Sequence, residues 1–194
     1  MNTLLTKLNI YRHLLSMNPI KLNIGAGKFI FNSGWFSSDI YLLNILDAKS
    51  WFYNLLFFKA SNIMAEHVWE HLTYEDGTIA AKNCYDYLKK EGTLRIAVPD
   101  GYHPDQNYIN YVKPGGHGLG ADDHKLLFNH VSLTQMLESI GFSVQLLEYW
   151  DKDGIFHSVD WTNDGGKIQR SKRYDHRNKD GKLNYTSLIV DAIK

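Results

Sequence analysis

Cys84 is the only cysteine in 194 residues. No disulfide can form within the chain, so a disulfide-stapled scaffold is excluded, and a reducing, cytoplasmic setting is the expectation. Long apolar runs are absent as well. The most apolar stretch, Trp51 to Phe58, is far too short to cross a bilayer. Met1 to Met17 carries Lys7, Arg12 and His13 with no small-residue cleavage site after it, so neither a leader nor a membrane span is expected. Net charge is missing too, because 21 Lys and Arg meet 21 Asp and Glu. A uniformly basic nucleic-acid binder is therefore not expected. No internal repeat is visible. What is present is ordinary for a globular protein: 44% apolar and 22% charged residues, enough to offset chain entropy. The length fits one domain spanning residues 1–194.

The neutral total hides a division. Residues 1–38 carry Lys7, Arg12, Lys21 and Lys28 and no acid. Residues 39–166 hold nine basic and eighteen acidic residues. Residues 167–182 are basic again, with Lys167, Arg170, Lys172, Arg173, Arg177, Lys179 and Lys182 against Asp175 and Asp180.

Leu4, Leu8, Tyr11 and Leu15 fall at helical spacing, and Asn18-Pro19 ends that N-terminal helix within residues 1–19. Ile20 to Gly25 reads as a short buried strand, Trp35 to Ile40 as a second and Ser61 to Ala65 as a third. Thr73 to Lys90 reads as a helix that Glu91-Gly92 ends, and Thr93 to Val98 as a strand closed by Pro99. Residues 100–130 show no period, and a loop of that length is usually functional or mobile. Ser132 to Ile140 is a helix with Gly141 as its stop. Val144 to Trp150 and Thr186 to Ile193 are late strands joined by a polar, basic excursion, 151–182, which predicts an antiparallel pair at the sheet edge. Strands alternating with helices predict an α/β fold with a mostly parallel sheet and helices on both faces.

Leu22-Asn23-Ile24-Gly25-Ala26-Gly27 places glycines just past the first strand, where a ligand can approach the backbone closely. Asp39 ends the next strand, where a carboxylate can accept both hydroxyls of a ribose. Together they point to a nucleoside-type ligand. Position 30 is Ile30, so the third glycine of the dinucleotide fingerprint is missing and a dinucleotide is disfavoured.

The ordered set extends further. Gly34-Trp35 leads into Ser38-Asp39-Ile40, then come Ala65-Glu66-His67-Val68-Trp69-Glu70-His71-Leu72 and Leu88 to Asp100. From about residue 20 to the C-terminus this resembles the class I S-adenosylmethionine-dependent methyltransferases. The nearest match is the bacterial branch often associated with cell-surface polysaccharide genes. The resemblance implies a Rossmann-like methyltransferase fold with an antiparallel last strand, and S-adenosyl-L-methionine as cofactor. It implies that Gly25, Ala26 and Gly27 line the methionine part, that Asp39 holds the ribose and that Ile40 lies against the adenine. Asp47 would stand near the adenine amino group, and Glu66 and His67 would border the transferred methyl. Two departures stand out: Lys28 follows the glycines where small residues are usual, and Asp39 follows Gly25 closely, so the helix between must be short or absent.

His67-x-x-Glu70-His71 has the form of inverted zinc peptidases. On a helix its histidines would face one way and could ligate zinc, with Glu70 as base. A third ligand, such as Glu75 or Asp76, is unmarked, and the motif follows a strand in nucleotide-binding order, so a metal-free site is expected. A metal site from His103, His117 and His124 is the other arrangement that the nine histidines suggest. In the loop 100–130, Asp122, Asp123 and His124 offer proton acceptors for a polar substrate. The basic stretch Arg170 to Lys179 would meet an anionic acceptor or remain a solvated hairpin tip. It lacks an aromatic platform for RNA.

The sequence thus predicts methyl transfer to a small polar acceptor, a sugar or nucleotide-sugar among them, with His67, Asp100 and His124 as candidate bases. A non-catalytic nucleoside-binding module is the alternative, and a zinc hydrolase the third reading.

Overall fold

The computed structural model describes residues 15–16, 19–27, 34–179 and 181–194. Leu15 and Ser16 are helical; the rest of the expected N-terminal helix lies outside the described residues, as do Lys28 and Ile30. The strands are β1 (Lys21–Asn23), β2 (Phe36–Ser37), β3 (Ala60–Glu66), β4 (Leu88–Pro99), β5 (Ser143–Trp150), β6 (Phe156–Ser158) and β7 (Ser187–Ile193). The helices are α1 (Ala48–Leu55), α2 (Tyr74–Tyr87), α3 (Gln106–Val112) and α4 (His130–Ile140).

The strands form one sheet in the order β2-β1-β3-β4-β7-β5-β6. β1 pairs in parallel with β2 and β3, and β3 with β4. β7 runs antiparallel to both β4 and β5. It is therefore an interior strand, and the expected antiparallel pair is not at the edge; the short β6 takes that place beside β5. The reason is visible in the sequence of β7. Leu188, Ile189 and Val190 are all fully buried, and a continuous apolar run suits a strand covered on both faces.

Alternation along the strands sorts the two faces. Leu22, Ile63, Leu94, Ala192 and Val144 form one row across the sheet. They pack into the main core with Trp51 and Leu55 of α1, Ala80, Ala81 and Cys84 of α2, and Leu133, Met136 and Leu137 of α4. Burial pushes the Cys84 thiol up, so it stays protonated. The next row, on the opposite face, is Asn23, Met64, Arg95, Asp191 and Gln145. Among the described residues the segment 159–182, whose regular structure is one 3-10 turn (Asn163–Gly165), packs on this second face. The segment is polar in composition. It cannot present an apolar helical stripe, so it docks through hydrogen bonds to buried polar groups on the strands.

Arg95 is the centre of that docking. Its guanidinium makes a bidentate pair with Asp191, both bonds 2.7 Å, and donates to the carbonyls of Thr162 and Gly166. Trp161 lies under it, 4.8 Å from ring centroid to Cζ. Glu148 accepts from Trp161 Nε1 and from the Lys172 amide. Glu66 accepts from the amides of Gln169 and Arg170 at 3.0 and 2.7 Å. The basic excursion is thus a cover pinned to the sheet, not a free hairpin tip.

The stretch 100–130 also differs from expectation. It holds α3, N-capped by Asp105, whose carboxylate accepts from the Asn107 amide. Tyr108 and Val112, one turn apart, are its buried contacts. Seven residues with a single i, i+4 pair carry too little periodicity to stand out in the sequence.

Candidate active site

In such α/β sheets ligands bind beyond the carboxyl ends of the parallel strands. Here that edge opens into a cavity of about 790 Å³, within the range of small-molecule sites. Gly25, Ala26 and Gly27 form one wall, Glu66, His67, Glu70 and His71 the floor, and His124, Arg170, Arg177 and Tyr185 the far side.

The β1 turn is built by backbone bonds. Ile24 N donates to Met64 O, Ser38 N to Asn23 O and Ala26 N to Ser38 O. Gly25 has φ +63°, and a Cβ there would collide with the Val68 side chain. Gly27 has φ +56° with open space where its Cβ would be. Asp39 closes the turn: its Oδ2 accepts from the Gly27 amide at 2.6 Å and its Oδ1 from the Ile40 amide at 2.7 Å. Asp39, Ile40 and Asp47 are not among the residues lining the cavity. Ile40 is 63% exposed, and Asp47 N-caps α1 by accepting from the Lys49 amide.

At the end of β3 the chain makes an unusual turn. His67 adopts φ +56°, a conformation that costs a residue with a side chain about 1–2 kcal/mol. Its amide donates to Ala97 O, its Nδ1 lies 2.8 Å from Glu70 Oε1 and its Nε2 lies 3.1 Å from Ser187 Oγ. The next residues form a 3-10 turn, Trp69–His71. The histidines of the H-x-x-E-H motif are therefore not on one helical face, and the geometry required by the zinc-peptidase reading is not met. Trp69 is driven into the main core. Glu70 follows it below the surface, with its side chain wholly buried on the cavity floor. Burial opposes its ionisation, but the imidazoles of His67 and His71 outweigh that, and its pKa lies below the ordinary carboxylate value.

The Glu70 carbonyl accepts from the amides of Lys125 and Leu126. This bond pair draws the 120–126 loop over the turn and sets His124 against His71, rings 4.7 Å apart and nearly perpendicular. His124 Nδ1 lies 2.6 Å from Val112 O. The other histidines of the suggested trio do not join it. His103 stacks on Tyr108 at 3.9 Å, and His117 meets Tyr111.

Asp100 is fully buried behind the site and does not line the cavity. Its oxygens accept from the amides of Tyr102 and Trp150. Burial raises its pKa to about 6 against these bonds. Asp122 is exposed. Asp123 is exposed too and reaches the site through His71.

Arg177 belongs to the basic stretch singled out in the sequence, and Tyr185, just after the cover, is the lining residue that sequence reasoning missed. Arg177 pairs with Asp175 and lies 3.4 Å over the Tyr185 ring. Tyr185 faces His67 in turn, and burial raises its pKa to about 12. The one signal for Tyr185 was an aromatic residue immediately before the last strand.

No family model and no curated protein sequence matches the chain. Solved structures do. An S-adenosylmethionine-dependent methyltransferase from Thermotoga maritima superposes with a TM-score of 0.51 at 15% identity, over 98% of this chain and 88% of that one. A chain from the Haloferax volcanii complex of the Trm112 methyltransferase activator with a methyltransferase gives 0.51 at 11%, over 97% and 88%. A protein from Nostoc punctiforme assigned as an O-methyltransferase gives 0.52 at 12%, over 98% and 57%. The chain has the Rossmann-like methyltransferase fold. Within that fold, the β1 turn, the end of β3 and the cover 167–182 meet at one cavity. Among the described residues no helix is long and apolar enough to cross a membrane.

Proposed function

We propose that the chain is an S-adenosylmethionine-dependent methyltransferase acting on a small polar or carbohydrate-type acceptor. The observation that carries this reading is the meeting of the Gly25-Ala26-Gly27 turn with the histidine- and glutamate-lined end of β3 in a single cavity. The turn fits such a cofactor: Gly25 has no room for a side chain, and Gly27 leaves open space where its Cβ would be. Each Asp39 oxygen holds one backbone N–H and keeps a further lone pair for a ribose hydroxyl. Ile40 presents an exposed apolar face for the adenine, and Asp47 stands at the start of α1 for its amino group. When bound, the cofactor supplies a methyl group already activated on a sulfonium.

The protein's own task is then orientation of the acceptor and exclusion of water. Arg170 and Arg177, beside Tyr111, Tyr174 and Tyr185, give the acceptor side of the cavity cations and aromatic faces. That mixture suits a hydroxyl-rich or phosphorylated sugar, a nucleotide-sugar included. A hydroxyl acceptor needs a proton acceptor. His67 and His124, which line the cavity, are the candidates for it, while Asp100 acts from behind, holding the backbone of β5. The histidines and acids lining this wall favour catalysis over mere nucleoside binding.

Calorimetry with S-adenosylhomocysteine tests the reading. Binding is expected, and Asp39→Ala should weaken it at least tenfold, on the scale of a charge-assisted hydrogen bond. Absence of heat at millimolar ligand would overturn the cofactor assignment.

A further inference from the structure

We propose that Glu70, His71 and His124 form a binding site for one divalent first-row transition-metal ion on the cavity floor. One potential ligand atom from each of the three lies within 4.8 Å of the others. Metal–ligand bonds of about 2.0–2.2 Å place such atoms about 3–4 Å apart. A side-chain adjustment of about an ångström therefore closes the set, and His71 is the partly exposed member of it.

Two independent features point to an ion. The first is Glu70. Its carboxylate is wholly buried and borders the cavity, and among the described residues neither oxygen receives an aligned hydrogen bond. His67 Nδ1 stands at ion-pair distance, 2.8 Å, without that alignment. A buried carboxylate with one ion pair and no aligned donor keeps lone pairs for a further cation. The second is the fixing of the His124 ring from behind. Its Nδ1 lies 2.6 Å from the Val112 carbonyl, which can only accept, so Nδ1 carries the proton and Nε2 is the free lone pair. His71 Nδ1 stands at ion-pair distance, 3.3 Å, from the Asp123 carboxylate. Metal-binding histidines are held in this manner, with the second nitrogen donating to a carboxylate or a carbonyl.

Two imidazoles and one carboxylate select zinc, iron, cobalt or manganese over magnesium or calcium, which prefer all-oxygen sets. Three protein ligands leave a position open toward the cavity. In the methyl-transfer reading, on which this use of the ion rests, that position takes the acceptor oxygen, and proton removal falls to His67. The set differs from the H-x-x-E-H motif, because His67 is outside it and the 120–126 loop supplies the third ligand.

The test uses the full chain, stripped with a chelator and desalted. Titration with Co²⁺ should saturate at one equivalent, with visible d–d bands of a nitrogen- and oxygen-ligated ion, and Zn²⁺ should displace it. Mg²⁺ should not. His71→Ala and His124→Ala should each weaken Co²⁺ binding at least tenfold, and His117→Ala should leave it unchanged. Circular dichroism checks that each variant is folded. Should His124→Ala unfold, the partly exposed His71 decides the matter alone. Absence of saturable Co²⁺ binding, or a bound equivalent that survives His71→Ala, would overturn the site. Calorimetry with S-adenosylhomocysteine in excess EDTA separates the two proposals: binding retained there, with no metal bound in its absence, sinks the metal site and leaves the cofactor reading intact.

Discussion

Replacing Gly25 by alanine perturbs the β1 turn in two separable ways. The backbone at φ +63° is left-handed, which costs an alanine about 1–2 kcal/mol. The new Cβ also runs into the Val68 side chain. Overpacking of this kind costs about 1–3 kcal/mol, so Gly25→Ala should destabilise by about 2–5 kcal/mol in all. Gly27 separates the two contributions. It has φ +56° but open space around the would-be Cβ, so Gly27→Ala should cost the backbone part alone, about 1–2 kcal/mol. Val68→Ala removes the colliding methyls at a cost of about 1 kcal/mol or a little more, since Val68 is half-buried against the core. The double variant Gly25→Ala/Val68→Ala should then recover the steric part. Urea unfolding of all four proteins would give a favourable coupling of about 1–3 kcal/mol. Additivity within about 0.5 kcal/mol would refute the steric argument, and equal losses at Gly25 and Gly27 would refute it as well.

Two further outcomes follow from buried charge. Asp100 has its pKa raised from 3.8 to about 6 by burial. The folded state therefore holds its proton more tightly than the unfolded chain, and this contribution to stability is present below about pH 4 and lost as pH rises through about 6. The loss amounts to about 3 kcal/mol at about 1.4 kcal/mol per pH unit; Asp100→Asn should abolish it, and an unchanged slope of unfolding free energy between about pH 4 and 7 would contradict the assignment. Removing one partner of the buried Arg95–Asp191 pair leaves the other unpaired, so Arg95→Ala should cost about 3–5 kcal/mol by urea unfolding. It should also raise protease cleavage within 159–182, whose carbonyls Arg95 holds; equal cleavage rates would show that the cover docks without it.

The sequence by itself determined the first strands of the sheet and the glycine turn after β1. The alternation of Leu22, Ile24, Ile63 and Leu94, the glycines after β1 and the acid at Asp39 are local patterns, and local patterns are set by side-chain period and backbone freedom. Gly141 likewise marked the end of α4, whereas its start, two residues before Ser132 at His130 behind the Asn129 cap, came from the structure. What only the tertiary structure decided were the meetings of distant segments. β7 entered the sheet interior because its apolar run needed cover on both faces. The polar segment 159–182 became a lid on the second face because Arg95, Glu66 and Glu148 offered it buried hydrogen-bond partners from strands many residues away. Glu70 and His71, read in the sequence as half of a helical motif, turned instead toward His124, because Trp69 entered the core and the Glu70 carbonyl captured the 120–126 loop. Those contacts depend on chain closure over long separations, and no periodicity records them.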